Sequence, residues 1–164
     1  NDPAFQPGFE GKDTSVQGCV PFYGVYDFLD RNRAWPHGGL RQVLEKQVLK
    51  GSREEIPELW EQASPLSHVH EGAPPFLVIH GSGDSLVPVD QARSFVQALR
   101  EKSREPVAYL ELPGAQHAFE LFRSVRTLRV NQGVERFLGV LHSRHVLAQR
   151  GEAAPADPPS QSLH

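Results

Sequence analysis

An apolar segment at residues 75–80, with the sequence PFLVIH, constrains the fold of this chain more than any other feature. Its apolar residues follow one another without the alternation of a half-exposed strand, which is typical of a strand buried on both faces in a parallel sheet. The segment ends at the turn-forming residues Gly81-Ser-Gly-Asp84. Because parallel strands need long crossover connections, commonly helices, this segment predicts an α/β fold.

The order of the remaining elements supports the same fold class. Apolar segments at 16–26 and 107–112 predict two further buried strands. Apolar residues at helical spacing predict helices over 40–50 and 89–102, with Gly51 ending the first. A last helix is predicted from residues that share one helical face: Val130, Val134, Phe137, Leu138 and Leu141. The sequence therefore predicts about three parallel strands with flanking helices, joined by right-handed crossovers.

Composition excludes several classes of function. The 164 residues carry 17 basic and 20 acidic side chains, and the net charge of −3 argues against a nucleic-acid-binding domain. Cys19 is the one cysteine, which excludes an intrachain disulfide and a cysteine-rich zinc site. No apolar run approaches the ~18 residues of a membrane-spanning helix. We therefore expect neither a nucleic-acid partner nor a membrane segment in this chain.

The chain contains no methionine and begins at Asn1. Translation begins with methionine, so we expect these residues to be a piece of a longer protein, the alternative being a processed mature chain. Residues 148–164 are rich in Ala, Pro, Ser and Gln, a composition typical of disorder. We therefore expect part of a domain over residues 1–147, followed by a disordered tail.

Two loops at predicted strand ends carry residues suited to catalysis. Asp84 follows the strand at 75–80, and His117 follows the strand at 107–112. The two residues are 33 positions apart with one helix and one strand between them, so both are expected in adjacent loops on the rim where open parallel sheets bind ligands. A carboxylate placed there can accept a hydrogen bond from the imidazole Nδ1, orient the ring and stabilise its protonated form. The sequence therefore predicts a catalytic pair, Asp84 and His117.

Two motifs around this pair are His80-Gly-x-x-Asp84-x-x-Val87-Pro88 and Gly114-x-x-His117-x-Phe119. With them, residues 74–141 resemble the C-terminal half of an α/β-hydrolase, an esterase or lipase of the hormone-sensitive-lipase-like or carboxylesterase type. The resemblance implies that Asp84 is the acid and His117 the base of a Ser-His-Asp triad. It also implies a cap or lid at residues 27–73, a small-molecule ester as substrate, and neither a metal nor an organic cofactor.

The resemblance further implies a serine nucleophile, which this chain does not show. The family order is nucleophile, acid, histidine, with the serine in a Gly-x-Ser-x-Gly turn. Neither Ser82 nor Ser85 has a glycine two residues away on both sides, and no other serine in the chain does. We therefore expect the chain to supply the acid and the base but not the nucleophile, and to be inactive by itself.

Two other functions stay open from the sequence. A serine peptidase of the prolyl-oligopeptidase type has similar acid and histidine loops. A degenerate α/β-hydrolase would keep the fold without catalysing a reaction.

Several other chemistry-bearing residues are interpreted as structural. Residues 35–39 (WPHGG) resemble an oxyanion motif of lipases, but in the family that motif precedes the nucleophile, so we interpret them as a loop entering a helix. His80 ends a buried strand, where it can bond backbone groups. His68 and His70 lie in a loop without a ligand cluster at metal spacing. Four aromatic residues could line an acyl pocket but are interpreted as packing residues: Phe22, Tyr23, Trp35 and Trp60.

Overall fold

Two parallel strands form the sheet in the part of the chain that the computed structural model describes, residues 6–35 and 38–151. Strand β1 spans Phe76–Gly81 and strand β2 spans Val107–Leu112. Their register places Phe76 opposite Val107 and Gly81 opposite Leu112, so the carboxyl ends of both strands meet on one rim. Both strands lie where the apolar segments predict them.

The three predicted helices lie close to their predicted places, and the structure adds a short helix and two 3-10 turns. In chain order the helices and turns are α1 (Gly39–Val43), continued by a π-helical turn (Leu44–Val48), the added short helix α2 (Pro57–Ala63), a 3-10 turn (Pro65–His68), α3 (Asp90–Lys102), a second 3-10 turn (Phe119–Leu121) and α4 (Val125–Arg150). The helix predicted over residues 40–50 is therefore confirmed, with its second half wound as a π-helix. None of the described helices combines the length and the apolarity needed to cross a bilayer.

The strand predicted over residues 16–26 is not a regular strand. It runs parallel to β1 on the edge away from β2 and pairs with it only at two isolated bridges, Cys19 with Phe76 and Phe22 with Ile79. Its backbone bonds are Cys19 N to Pro75 O, Leu77 N to Cys19 O, Ile79 N to Pro21 O and Tyr23 N to Ile79 O. The missing bond of this ladder would come from the N–H of residue 21, and proline has none. The predicted three strands are thus two strands and one bridged segment.

Strand β1 is covered on both faces, which explains its unbroken apolar sequence. Val78 is fully buried in a cluster with four residues of α3: Ala92, Phe95, Val96 and Leu99. Leu77 and Ile79, on the other face, are buried with Val130 of α4 and with Leu112 and Ala115. Because successive side chains of a strand point to opposite faces, one buried strand serves both halves of the core.

Helix α4 departs from its prediction in two respects. Leu138 is 48% exposed, because it lies about 80° around the helix from the buried Val130. The helix also continues to Arg150 and ends at Gly151 in the left-handed conformation (φ 71°), a common helix C-cap. Residues 148–150, predicted as part of a disordered tail, therefore belong to the helix, and residues 152–164 lie outside the described residues.

The segment over residues 27–73 forms a helical layer, which joins the rest of the structure beside the loop that carries Asp84. Its buried residues Leu40, Leu44 and Trp60 pack with Val87, three positions after Asp84. Residues 36–37 of this segment lie outside the described residues. The loop predicted over residues 35–39 is therefore described only at Trp35 and at Gly38, directly before α1 begins at Gly39. That the segment acts as a cap or lid stays a prediction.

Candidate active site

Asp84 is placed and oriented by the turn that follows β1. Its side chain is fully buried. One carboxylate oxygen, Oδ1, accepts hydrogen bonds from the backbone N–H groups of Leu86 (2.9 Å) and Val87 (2.8 Å). Aspartate favours such turns because its short side chain can reach the backbone two or three residues ahead. The turn fixes one oxygen and leaves the other, Oδ2, for a different partner.

That partner is His117, in the loop after β2. Its Nδ1 lies 2.8 Å from Asp84 Oδ2, and its side chain is 29% exposed. Because a carboxylate can only accept, Nδ1 carries the proton, which leaves Nε2 with the free lone pair of a base. The structure therefore brings together the two residues that the strand ends predict, and their catalytic role stays a prediction.

Besides the bond between Asp84 and His117, three hydrogen bonds join the acid loop, which follows β1, to the histidine loop, which follows β2. The Gly83 N–H donates to the Ala115 carbonyl (3.0 Å), the Gly114 N–H to Ser82 Oγ (2.9 Å), and the Ser85 N–H to Gln116 Oε1 (3.3 Å). The loops approach so closely that a Cβ at Gly81 would lie 2.2 Å from the Ala115 oxygen. Glycine is therefore the residue that allows this approach.

His80 is buried directly beneath the pair. Its Nε2–H donates to the Val87 carbonyl (2.9 Å), and the same nitrogen lies 3.4 Å from Asp84 Oδ2. Burial lowers the pKa of His80, so the ring is neutral at neutral pH. The backbone bond predicted for this residue is present, and it ties the end of β1 to the backbone that holds Asp84.

Tyr23 contacts His117 and Glu120 contacts Tyr23, and the sequence interpretation missed this role for both. The Tyr23 ring lies against the imidazole, with 4.2 Å between ring centroids and 52° between ring planes. The Tyr23 hydroxyl donates to Glu120 Oε1. Burial and the Glu120 carboxylate raise the pKa of Tyr23 to about 12, so the phenol keeps its proton. Its position at the carboxyl end of the bridged segment was the available signal, since that rim had already led to Asp84 and His117.

The described residues show no metal cluster: nowhere among them are three His, Cys, Asp or Glu side chains grouped to hold an ion. His68 Nε2 lies 2.8 Å from the Gln62 carbonyl, and His70 Nδ1 accepts from the Gly72 N–H. Both rings are thus engaged with nearby backbone.

An open cavity of about 600 Å³ lies within the helical layer at residues 27–73, away from the pair. Its lining includes Trp35, Trp60 and Arg53, and neither Asp84 nor His117 belongs to it. The pair is therefore located by strand ends and hydrogen bonds rather than by this cavity.

The sequence of this chain is similar to a known family and to two named proteins of Mycobacterium tuberculosis. The sequence model of the BD-FAE family matches residues 3–99. Esterase LipQ of Mycobacterium tuberculosis is 44% identical over 160 residues, which are 98% of this chain and 38% of LipQ. The probable carboxylic ester hydrolase LipM of the same organism is 48% identical over 154 residues, 93% of this chain and 36% of LipM. The chain thus spans less than two fifths of the length of these relatives.

A solved structure is similar as well. A puromycin-hydrolyzing peptidase of Mycobacterium tuberculosis superposes on 63% of this chain and 15% of its own, with a TM-score of 0.53 and 31% sequence identity. This peptidase therefore shares the fold of the chain over the superposed residues.

Proposed function

This chain belongs to the BD-FAE family of α/β-hydrolases, and on that premise we propose that it carries the acid and the base of a serine hydrolase that cleaves carboxylic esters. Asp84 is the acid and His117 is the base. LipQ and LipM, named an esterase and a carboxylic ester hydrolase, support the choice of ester hydrolysis over other reactions of the fold.

The hydrogen bond from His117 Nδ1 to Asp84 Oδ2 (2.8 Å) is the observation that carries the proposal. It holds the imidazole in the tautomer whose Nε2 can accept a proton. The other Asp84 oxygen is held by two backbone N–H groups, so the carboxylate cannot turn away from the ring. This contact supports both parts of a triad acid's role, which are to orient the base and to stabilise its protonated form.

The reaction follows from these positions. His117 Nε2 takes the proton of a serine hydroxyl as its oxygen attacks the ester carbonyl carbon, and the carbonyl electron pair moves to oxygen. When this intermediate collapses, the ester C–O bond breaks, the alcohol leaves with the proton from His117, and an acyl-serine remains. Water, deprotonated by the same Nε2, then attacks the acyl group, and the serine recovers its proton as the carboxylic acid departs. Asp84 stays ionised throughout.

The proposed reaction also needs a serine nucleophile. No serine in the chain has the Gly-x-Ser-x-Gly surroundings of the family's nucleophile turn. We propose that the serine lies outside these 164 residues, and that the chain alone hydrolyses esters no faster than background.

The test uses a polypeptide that carries these residues together with a serine in that turn, assayed with nitrophenyl butyrate. Asp84→Asn and His117→Gln are each expected to lower kcat on the order of 10⁴-fold, because the base is lost or held in the wrong tautomer. Asp90→Asn and His142→Gln are matched controls at exposed positions away from the pair, and both are expected to leave kcat unchanged. Activity within tenfold of the parent in either site variant would rule out the assigned roles.

A second candidate, a serine peptidase, is favoured by the likeness to the puromycin-hydrolyzing peptidase. The same pair would serve it, because the protonated His117 can donate to a leaving amine as it does to an alcohol. Parallel assays of nitrophenyl esters and aminoacyl nitroanilides separate the two functions. The esterase assignment predicts a clear preference for the esters, and a preference for the anilides would reverse it.

A further inference from the structure

Tyr23 is held against His117 by features from three parts of the chain. Its backbone bonds β1 through Tyr23 N–H and the Ile79 carbonyl (2.8 Å). Its hydroxyl donates to Glu120, which lies in the 3-10 turn just after the histidine loop. Its ring also meets Phe119 edge-on, with 6.1 Å between centroids. The ring is therefore fixed at its base, on one side and at its tip.

The backbone on both sides of this contact adopts an uncommon conformation. Tyr23 has φ 38° and Ala118, the residue after His117, has φ 57°. Side-chain-bearing residues rarely adopt positive φ, and such strain persists where the surrounding structure enforces it, often at functional sites. Here one such residue carries the phenol, and the other directly follows the imidazole that the phenol contacts.

The contact suits a ring that becomes positively charged. A cation within about 6 Å of an aromatic centroid is attracted by the negative face of the ring, and the His117 centroid lies at 4.2 Å. The titratable groups around His117 are Asp84 at Nδ1, the buried His80 beneath Asp84, and the Tyr23–Glu120 pair on the ring face. Asp84 holds one edge of the imidazole, and among these groups it is Tyr23 whose ring lies against it, with the two ring planes tilted by 52°.

We propose that Tyr23, held by Glu120, is a positioning residue for His117: it fixes the plane of the imidazole and favours its protonated form. The inference rests on the proposed function for its purpose, since serine hydrolysis passes through a protonated histidine. The contact itself can be tested without turnover.

The experiment is an NMR titration of His117 in the 164-residue chain, with its ring signals assigned by His117→Gln. Tyr23→Asn removes the ring and suits a positive φ, because asparagine tolerates that conformation. It is expected to lower the measured pKa of His117 by about half a unit, a roughly threefold loss of the protonated form at a given pH. Ring ¹⁵N relaxation is expected to show a more mobile imidazole, while the Nδ1–H tautomer is kept by Asp84. Tyr23→Phe keeps the aromatic face and is expected to preserve most of the pKa.

Phe22→Leu is the matched control, since Phe22 is the neighbouring aromatic residue, contacts Tyr23 and Phe119, and makes no ring contact with His117 among the described pairs. Circular dichroism establishes that each variant is folded. A folded Tyr23→Asn chain with the parent pKa and the parent ring mobility overturns the inference, and so does an equal pKa shift in Phe22→Leu. If Tyr23→Asn fails to fold, Tyr23→Gly, which also removes the ring and adopts positive φ without strain, replaces it with the same expectation. Because no ester is turned over, a failed esterase assay leaves this result standing, and a failed titration leaves the esterase assignment standing.

Discussion

At the scale of single residues, the site depends on how closely the loop after β1 packs against the loop after β2. Asp84 reaches His117 because the Ala115 carbonyl packs onto the end of β1, where Gly81 offers no Cβ. That carbonyl also accepts the Gly83 N–H (3.0 Å), so it cannot swing aside without breaking a bond between the loops. The glycine in the His80-Gly-x-x-Asp84 motif is therefore explained by the close approach of backbone rather than by turn conformation.

Gly81→Ala is expected to destabilise the fold by about 1–3 kcal/mol, because the new methyl group forces apart two loops that are fixed by backbone bonds. Gly133→Ala is the matched control: it lies inside α4 with nothing within 4 Å of its added Cβ. There the same change is expected to stabilise by about 0.5–1 kcal/mol, through the higher helix propensity of alanine. Urea unfolding measures both, and a Gly81→Ala chain as stable as the parent would contradict the steric argument.

At the scale of elements, the segment from Cys19 to Tyr23 shows how one residue decides whether a strand is continuous. Its apolar sequence and its parallel run beside β1 are those of a strand, yet the ladder is interrupted where Pro21 has no N–H to offer. The segment still delivers Tyr23 to the rim with its backbone fixed. An interrupted ladder is therefore sufficient to position a side chain.

Pro21→Val is expected to close the ladder by supplying the N–H that faces the Leu77 carbonyl. The added hydrogen bond contributes about 0.5–1.5 kcal/mol, and the loss of proline's restraint on the unfolded chain costs about 0.4–1 kcal/mol, so global stability is expected to change little. Hydrogen exchange of the new amide is the sensitive measurement, with slow exchange expected at residue 21. Pro7→Val, in an exposed turn, is the control whose amide should exchange rapidly. Equal exchange rates at the two positions would show that no bond forms.

At the scale of the whole molecule, the comparisons confirm the α/β-hydrolase resemblance that two short motifs indicated. The fold places β1 between helices α3 and α4 and gathers the ionisable site groups at the carboxyl end of this strand. Among these groups His80 is the most buried, and its neutral form is part of the folded state. The stability of the entire chain is therefore linked to pH through a residue that the proposed reaction does not use.

The direction of this linkage follows from the lowered pKa of His80. Below a pH of about 6.5, the pKa of a histidine in the unfolded chain, the unfolded chain binds a proton at His80 that the folded chain excludes. The stability that neutral His80 contributes is therefore fully present above that pH and is lost as the pH falls. His80→Gln, which can still donate to the Val87 carbonyl, is expected to lose less stability than the parent between about pH 7.5 and about pH 5. Urea unfolding at the two pH values measures the difference. The same loss in both chains would place the pH dependence elsewhere.

The sequence by itself determined the fold class, β1 and β2, the helices around them and the meeting of Asp84 with His117. These features follow from short-range patterns: unbroken apolar runs, helical spacing, and turn residues at strand ends that parallel pairing brings to one rim. Only the tertiary structure decided that Tyr23 faces His117 and that its hydroxyl meets Glu120, 97 residues further along the chain. It also decided the bridged form of the first segment and the exposure of Leu138. These depend on which atoms meet after packing, and no local pattern encodes a contact between side chains so far apart in the chain.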